Sequence, residues 1–427
     1  MKKVKICVIG QGYVGLELST AFGKHYSTIG FDINKKRIDN LNEFKDTNKQ
    51  FSQNNLKASK VFFTYDIADI LRSNIFIICV PTPVNNKNQP DISNIKKATI
   101  TVSKILKKND LIIYESTVYP GLTEEYCIKV IEKYSKLKVD RNFNIGYSPE
   151  RINPGDKIRT ISKIKKIISA RNNETLNLMN KIYGKIVKAG LYKAENIKTA
   201  EAAKVIENAQ RDINIAFVNE LSIIFDRMNI NTNSVLKAAS TKWNFLNFKP
   251  GLVGGHCIGI DPYYLTYQSK KFGYNPKIIL AGRNINERMH KHIIEKIYKY
   301  KTEKKLKKLT CTIMGVTFKE NCPDSRNSQS LKMLNLIKKD MDIELQVHDP
   351  VVNKKELENQ NKIILKDFSN ITKSDVLVIS VSHHNFQKIN TTKWLSIIKK
   401  NSFIIDIKSL IDANKFKKFK RIKIYQL

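Results

Sequence analysis

Strand and helix signals alternate at both ends of the chain, a helical stretch lies between them, and a glycine-rich turn follows the first strand. Together these predict an α/β protein. The expected architecture is two Rossmann-like, doubly wound domains bridged by a central helical region with one long helix. The boundaries read as 1–195 for the N-terminal domain, 196–300 for the helical centre and 301–427 for the C-terminal domain. A chain of 427 residues exceeds the size at which one core keeps growing, so several domains are expected.

Within the first domain, residues 3–9 read as a buried strand, and the turn after it opens a helix over 13–22. A second strand, 29–32, ends in the carboxylate of Asp32, and further strands read at 75–80, 111–115 and 144–147. From 197 to about 228, Ala200, Ala203, Ile206, Ile213, Phe217 and Leu221 recur at helical spacing. A second helical stretch covers 275–300. After a lysine-rich linker, 301–308, strands return at 309–315, 344–348, 376–381 and 403–407.

Composition narrows the function. Apolar residues make up 41% and charged residues 27%, which suits a globular protein. No uninterrupted apolar run is long enough to span a bilayer, and residues 1–10 do not resemble a signal peptide, so no membrane association is expected. The six cysteines are scattered with no Cys-x-x-Cys pair, which argues against zinc and a disulfide framework and fits the cytoplasm. His383-His384 has no acidic or cysteine partner spaced for a metal, so none is expected. The formal charge of +36 invites a nucleic-acid reading. The lysines are spread along the whole chain, however, with no basic arm or aromatic stacking motif, so no nucleic-acid partner is expected. A positive field still attracts an anionic substrate such as a nucleotide diphosphate.

Gly10-Gln11-Gly12-Tyr13-Val14-Gly15 follows a strand and starts a helix, the context that gives a weak motif weight. Glycines permit the tight turn and the close approach of a pyrophosphate to the helix N-terminus. Asp32, 22 residues after Gly10, is placed to accept hydrogen bonds from a ribose diol and to repel a 2′-phosphate, which favours NAD over NADP. Arg37 is the nearby cation that argues the other way.

The stretch Gly254-Gly255-His256-Cys257-Ile258-Gly259-Ile260-Asp261 sets a thiol between glycines with a carboxylate four residues on. A thiolate is nucleophilic and can hold an acyl group as a thioester, so a cysteine near a nicotinamide suggests oxidation through to an acid. A loop cysteine in a turn is the plain alternative. Lys204 and Asn208, four residues apart, project from one face of the long helix, and a cation beside an amide donor suits an oxyanion. On spacing alone, Lys204 reads as one more surface lysine.

Six ordered motifs give the chain a resemblance to a known family. They are Val80-Pro81-Thr82-Pro83, 115–121 (Glu-Ser-Thr-Val-Tyr-Pro-Gly), Ser148-Pro149-Glu150-Arg151, 201–208 (Glu-Ala-Ala-Lys-Val-Ile-Glu-Asn), the Gly-Gly-His-Cys loop, and 315–320 continuing to 324–328. With them the chain resembles the nucleotide-sugar 6-dehydrogenases of the UDP-glucose/UDP-N-acetylhexosamine dehydrogenase family over nearly its whole length. UDP-glucose enzymes usually carry a proline–lysine pair just after the cysteine. Here Cys257 is followed by Ile258-Gly259-Ile260-Asp261, which, with 208–212 and 243–246, is similar to the branch acting on UDP-GlcNAc or UDP-GalNAc, to which Vi-antigen and O-antigen dehydrogenases belong.

The resemblance implies an NAD-dependent, four-electron oxidation of a UDP-sugar C6 alcohol to the uronic acid through Cys257, for bacterial surface polysaccharide synthesis. Cys257, Lys204, Asn208, Asp261, Glu150 and Thr117 would form the catalytic set, with Asp261 and Glu150 serving thioester hydrolysis. The cofactor would meet Gly10, Gly12, Tyr13, Val14, Gly15, Asp32, Arg37, Thr82, Thr117 and Arg326. The substrate would meet Glu150, Arg151, Lys204, Asn208, Arg211, Gly254, Phe318, Lys319 and a loop carrying Phe245, Phe248 and Lys249. His256 is read as a structural neighbour. In this family the long helix joins two subunits, so a homodimer is implied. UDP-glucose or UDP-ManNAc as substrate stays open, as does a noncatalytic NAD- or nucleic-acid-binding protein as the reading from another class.

Overall fold

The computed structural model describes residues 3–151, 158–255, 258–416 and 418–427, with Glu356 described by its backbone. The chain divides into two compact units. One comprises Met1–Glu207 with Tyr263–Asn275, the other Asn208–Pro262 with Pro276–Leu427.

The first unit is built on eight strands. They are β1 (Lys5–Ile9), β2 (Ser27–Phe31), β3 (Phe62–Thr64), β4 (Ile75–Ile78), β5 (Asp110–Tyr114), β6 (Phe143–Tyr147), β7 (Lys166–Ala170) and β8 (Leu191–Lys193). Their order is β3-β2-β1-β4-β5-β6-β7-β8. β1 to β6 run parallel, and the reversal of order about β1 is the doubly wound pattern. β4 and β5 are buried along their whole length, which is why they read as continuous apolar runs. β7 departs from the expected all-parallel sheet: it lies antiparallel to β6, pairing Gly146 with Ala170 and Tyr147 with Ser169, and β8 runs with it. Ile6, Val8, Leu18, Phe22, Ile77, Ile113, Met179 and Tyr183 belong to this unit's main core.

The long helix, Ile197–Arg227, spans 31 residues and matches the expected stretch. It ends because Asn229 adopts φ 57°, while the Ile230 N–H returns to the Phe225 carbonyl, an αL helix stop. Two readings need correction. The helical signal at 275–300 is a helix of 27 residues, Lys277–Glu303, so the linker expected to start at 301 is still helical there and breaks at Lys305, φ 53°. A separate helix, Asp261–Lys271, precedes it and begins at the carboxylate that ends the cysteine loop.

Five parallel strands organise the second unit: β9 (Leu309–Met314), β10 (Ile343–His348), β11 (Ser374–Ile379), β12 (Ile398–Asp406) and β13 (Ile422–Gln426). Their order, β10-β9-β11-β12-β13, is again doubly wound. Among the described residues, no helix is long and apolar enough to cross a membrane.

Asn208 to Asn286 of this unit carry a buried polar network. Asp212 on the long helix accepts from Arg283 Nη1 and from Asn286 Nδ2, both at 2.7 Å. Asn286 in turn meets Asn219, whose side chain holds both the N–H (2.8 Å) and the carbonyl (3.0 Å) of Gly251. Burial pushes the Asp212 carboxyl up and Arg283 pulls it back. Removing one partner of a buried ion pair strands the other charge, at about 3–5 kcal/mol. Arg283→Met should therefore lower unfolding stability by about that amount in chemical denaturation. Adding Asp212→Asn should recover part of the loss, and additive single losses would show that the two side chains are not coupled.

Candidate active site

In the first unit, the chain leaves β1 through Gly10, φ 93°, and enters the helix Tyr13–Gly23 with no side chain capping its N-terminus. A Cβ on Gly10 would press on the Cys79 carbonyl, and one on Gly15 would overlap the Gly10 carbonyl oxygen. At Gly12 a Cβ would meet nothing within 4 Å, so this glycine faces open space where a pyrophosphate can approach. Val14 packs against the unit's core from that helix. Asp32 lies just past β2, with Oδ2 accepting from the Gln11 N–H (2.7 Å) and Oδ1 from the Asn34 N–H (2.9 Å). The loop, the helix start and the carboxylate thus fit an adenine dinucleotide. Arg37 turns inward: Nε donates to the Gln11 carbonyl (2.9 Å) and Nη1 to Asp46 (2.8 Å) and Thr47 (2.9 Å). It braces the glycine loop from behind.

Thr82 and Thr117 come together, since Thr82 Oγ1 donates to the Thr117 carbonyl at 2.8 Å. Tyr264 Oη donates to the Thr82 carbonyl (2.7 Å) and fixes the same turn. Both threonines follow the C-terminal ends of β4 and β5, where parallel sheets place ligands.

A buried charge cluster that the sequence did not reveal stands beside them. Lys166, the first residue of β7, donates to Glu150 (2.6 Å), to Glu115 (2.7 Å) and to the Pro149 carbonyl (3.1 Å). Tyr183 Oη donates to the other oxygen of Glu115. Because β7 is antiparallel to β6, its first residue lies at the sheet edge where β5 and β6 end. A parallel β7 would put Lys166 at the opposite edge. Burial pushes the Glu115 carboxyl up to about 7; Lys166 lowers it and Glu150 raises it. Burial also opposes the Lys166 charge, but the two carboxylates outweigh it and raise its pKa. Glu150 Oε1 accepts from the Arg151 N–H (2.6 Å), and the Arg151 guanidinium pairs with Glu207 (2.9 Å). Lys204 is buried on the long helix. Glu201, one turn before it, accepts the N–H groups of Gly121 (2.5 Å) and Thr123 (3.0 Å), which holds the turn after Thr117.

In the second unit, Asn208 Nδ2 donates to Asp261 Oδ2 at 2.6 Å, and both residues are buried. Residues on the long helix and at the end of the cysteine loop therefore meet, as spacing alone did not foretell. Cys257 and His256 lie outside the described residues. Two positions before the cysteine, Gly255 has φ 85°, and a Cβ there would sit 2.5 Å from the Phe318 ring; a Cβ on Gly254 would be 3.3 Å from Phe318 Cβ. Phe318 thus lies against the cysteine loop and is half-buried. Lys319 shares its turn, its carbonyl accepting from Thr317 Oγ1 (2.8 Å).

That turn has an anchor: Asp349, after β10, accepts the Val316 N–H (2.7 Å) and pairs with His383 Nε2 (3.2 Å), while His383 Nδ1 accepts the Asn321 N–H (3.0 Å). His383 has an acidic partner after all, supplied by the fold, and both ring nitrogens serve the turn. Arg326 pairs with Asp324 through Nε and Nη2, at 3.0 and 2.6 Å. Arg211 is half-buried on the long helix. Phe245 and Phe248 are half-buried and Lys249 exposed in an irregular segment, 243–250. Among the described residues no cluster of His, Cys, Asp or Glu could hold a metal ion.

Three sequence profiles match the chain. The UDP-glucose/GDP-mannose dehydrogenase family's NAD binding domain matches residues 4–187, its central domain 198–288 and its UDP binding domain 312–413. The UDP-N-acetyl-D-glucosamine 6-dehydrogenase of Pseudomonas aeruginosa is 44% identical over 420 residues, 97% of this chain and 99% of the relative. The enzyme of that name from Salmonella typhi is 44% identical over 414 residues, 96% and 97% of the two chains. A solved UDP-D-ManNAc dehydrogenase from Pyrococcus horikoshii superposes with TM-score 0.87 at 28% identity, covering 96% of each chain.

Gly15→Ala should close the glycine turn that a dinucleotide needs. NAD affinity measured by calorimetry should fall at least about tenfold with the fold retained by circular dichroism. Unchanged affinity would remove the dinucleotide from this loop.

Proposed function

This chain belongs to the UDP-glucose/GDP-mannose dehydrogenase family, and we propose from that premise that it oxidises the C6 alcohol of a UDP-N-acetylhexosamine to the uronic acid. The substrate would be UDP-GlcNAc or UDP-GalNAc. What carries the reading beyond the family is the buried Asn208–Asp261 contact, which brings the amide of the long helix to the carboxylate four residues after Cys257. The two relatives at 44% identity are named for UDP-N-acetyl-D-glucosamine. Residues 1–195 would hold the cofactor, 196–300 the thiol and its helix, and 301–427 the UDP end.

Two molecules of NAD, bound in turn, would each accept one hydride, one per oxidation. The chain's own residues do the remainder. The C6 hydroxyl gives its proton to water as the first hydride departs, leaving an aldehyde. Cys257 sulfur, as the thiolate, then adds to the aldehyde carbon, the C=O electron pair moves onto oxygen, and loss of the second hydride turns this alkoxide adduct into a thioester. Lys204 and Asn208 donate to the oxygen on C6 while it carries negative charge, with Asp261 fixing the Asn208 amide. Water attacks the thioester carbon, the C–S bond breaks, and the thiolate leaves with the uronate free. Glu150 takes the proton of that water, and Thr117 orients it. Phe318 and Lys319 meet the uracil and the diphosphate. Arg211, Phe245, Phe248 and Lys249 complete the sugar and nucleotide contacts. A lone alcohol dehydrogenase needs no thiol, which is the chemical reason for Cys257.

Cys257→Ser should block the second oxidation while sparing much of the first. Its ester hydrolyses less readily, so product should stall near about one enzyme equivalent and mass spectrometry should show an added UDP-sugar mass. Multiple turnover to the uronate by Cys257→Ser or Cys257→Ala would end the covalent mechanism. A panel of UDP-GlcNAc, UDP-GalNAc, UDP-ManNAc and UDP-glucose identifies the sugar by kcat/KM.

A homodimer belongs to the same reading. Ile206, Phe217 and Ile224 are 53, 54 and 44% exposed along one helix, and Met228, just past its end, is 58% exposed, an apolar series left uncovered among the described residues. A second copy would cover it. Light scattering should give a dimer for the wild type and a monomer for Phe217→Glu with Ile224→Glu; a wild-type monomer would reject it.

A further inference from the structure

Lys166 lies outside every motif of the sequence, although Glu115 and Glu150, which it bonds, each sit inside one. Its geometry is that of a fully satisfied ammonium: three N–H donors and three acceptors, Glu115, Glu150 and the Pro149 carbonyl, all within 3.1 Å. Lys166 is 4% exposed and Glu150 7%, so water contributes little to either charge. Two carboxylates share the one cation.

Among the described residues, the groups that face the cluster come from five elements. Glu115 follows β5, Glu150 and Arg151 follow β6, Tyr183 ends the helix Asn173–Tyr183, Cys79 follows β4, and Glu17 lies on the helix Tyr13–Gly23. Except for Arg151, which is turned to Glu207, these are neutral or acidic. Among the described residues, Lys166 is the cation that bonds both carboxylates. Two carboxylates close together in a dry site cannot both stay ionised without a cation; one takes a proton.

We propose that Lys166 is a positioning residue for thioester hydrolysis, holding Glu150 in place and ionised so that it can accept the proton of the attacking water. This rests on the role given to Glu150 above. In that step the water oxygen bonds to the thioester carbon, the C–S bond breaks with its electron pair on sulfur, and the water proton passes to Glu150. A Glu150 that already carries a proton cannot take it. Glu115 is the competitor for the same ammonium, and Tyr183 bonds it from the far side.

The test uses the full-length enzyme with UDP-GlcNAc and NAD, following pre-steady-state NADH, steady-state kcat and its pH profile. Lys166→Met should keep the first NADH burst but lower steady-state turnover at least about tenfold, with thioester accumulating on Cys257. The acid limb of kcat should move up by about one pH unit or more, because Glu150 and Glu115 now share a proton. Lys166→Arg, which keeps the charge, should restore turnover to within about threefold. Glu115→Gln frees the ammonium for Glu150 alone and should move the acid limb down. This variant carries the test if Lys166→Met fails to fold.

An acid limb that stays at its wild-type position in Lys166→Met, or fails to move down in Glu115→Gln, overturns the inference. Glu150→Gln separates the two levels. Full turnover by Glu150→Gln would reject the role of Glu150 itself; a stalled thioester there with an unmoved limb in the Lys166 and Glu115 variants would reject only Lys166.

Discussion

A buried charge must be answered by an opposite charge or by hydrogen bonds, and in the first unit this requirement falls on the place where three strands end. Lys166 meets two carboxylates and a carbonyl at the shared edge of β5, β6 and β7. Any shift of one strand end by a residue would break one of these bonds and leave an ion in a dry site, at a cost of several kcal/mol. The cluster therefore fixes the turn from Ser116 to Gly121 and the turn from Ser148 to Arg151 in relation to each other. Thr117 and Glu150, one in each turn, take their positions from it. Glu201 secures the first turn again from the long helix through the N–H groups of Gly121 and Thr123.

The second unit answers the same requirement in two places. Asp212 and Arg283 tie the long helix to the helix Lys277–Glu303, and Asn219 continues the network to Gly251, just ahead of the cysteine loop. Asp349 and His383 tie β10 and the segment after β11 to the turn that carries Phe318 and Lys319. Burial would raise the Asp349 carboxyl, but the His383 bond and the backbone N–H groups draw it below its ordinary range. Loops are where backbone is least constrained by periodic hydrogen bonding. Here the turn of Phe318 and Lys319 is held by the buried acid Asp349, and Gly251 by the buried amide of Asn219. The Phe318 ring then packs on Gly255, so the two loops of this unit constrain one another.

The apolar series along the long helix obeys a different constraint. Ile206, Phe217 and Ile224 on this helix, and Met228 just past its end, stay exposed although the helix buries Ala200, Val205, Ala209, Ala216 and Val218. Such exposed apolar side chains are what the proposed homodimer would cover. The large positive charge sits elsewhere, on lysines dispersed over the surface, and none of the buried clusters depends on it. Lys166 and Lys204 differ from the dispersed lysines because they are buried.

The sequence by itself determined the α/β class, the two doubly wound sheets and the long helix, because these follow from local periodicity and from glycines in a strand–turn–helix context. It also made Gly10, Gly12, Gly15 and Asp32 legible, since their spacing along one chain segment sets their geometry. Motif order marked Cys257, Glu150, Lys204 and Asn208. What periodicity could not carry was strand direction: β7 is short and begins with a lysine, yet its antiparallel course brings Lys166 to Glu115 and Glu150. Nor could spacing reveal contacts between residues far apart in the chain, such as Asn208 with Asp261, Arg283 with Asp212, or His383 with Asp349. A lysine, an asparagine or a histidine has the same letter whether it is solvated or buried. Only the tertiary structure decides which of them lose water, and a charge that loses water must find its partner there.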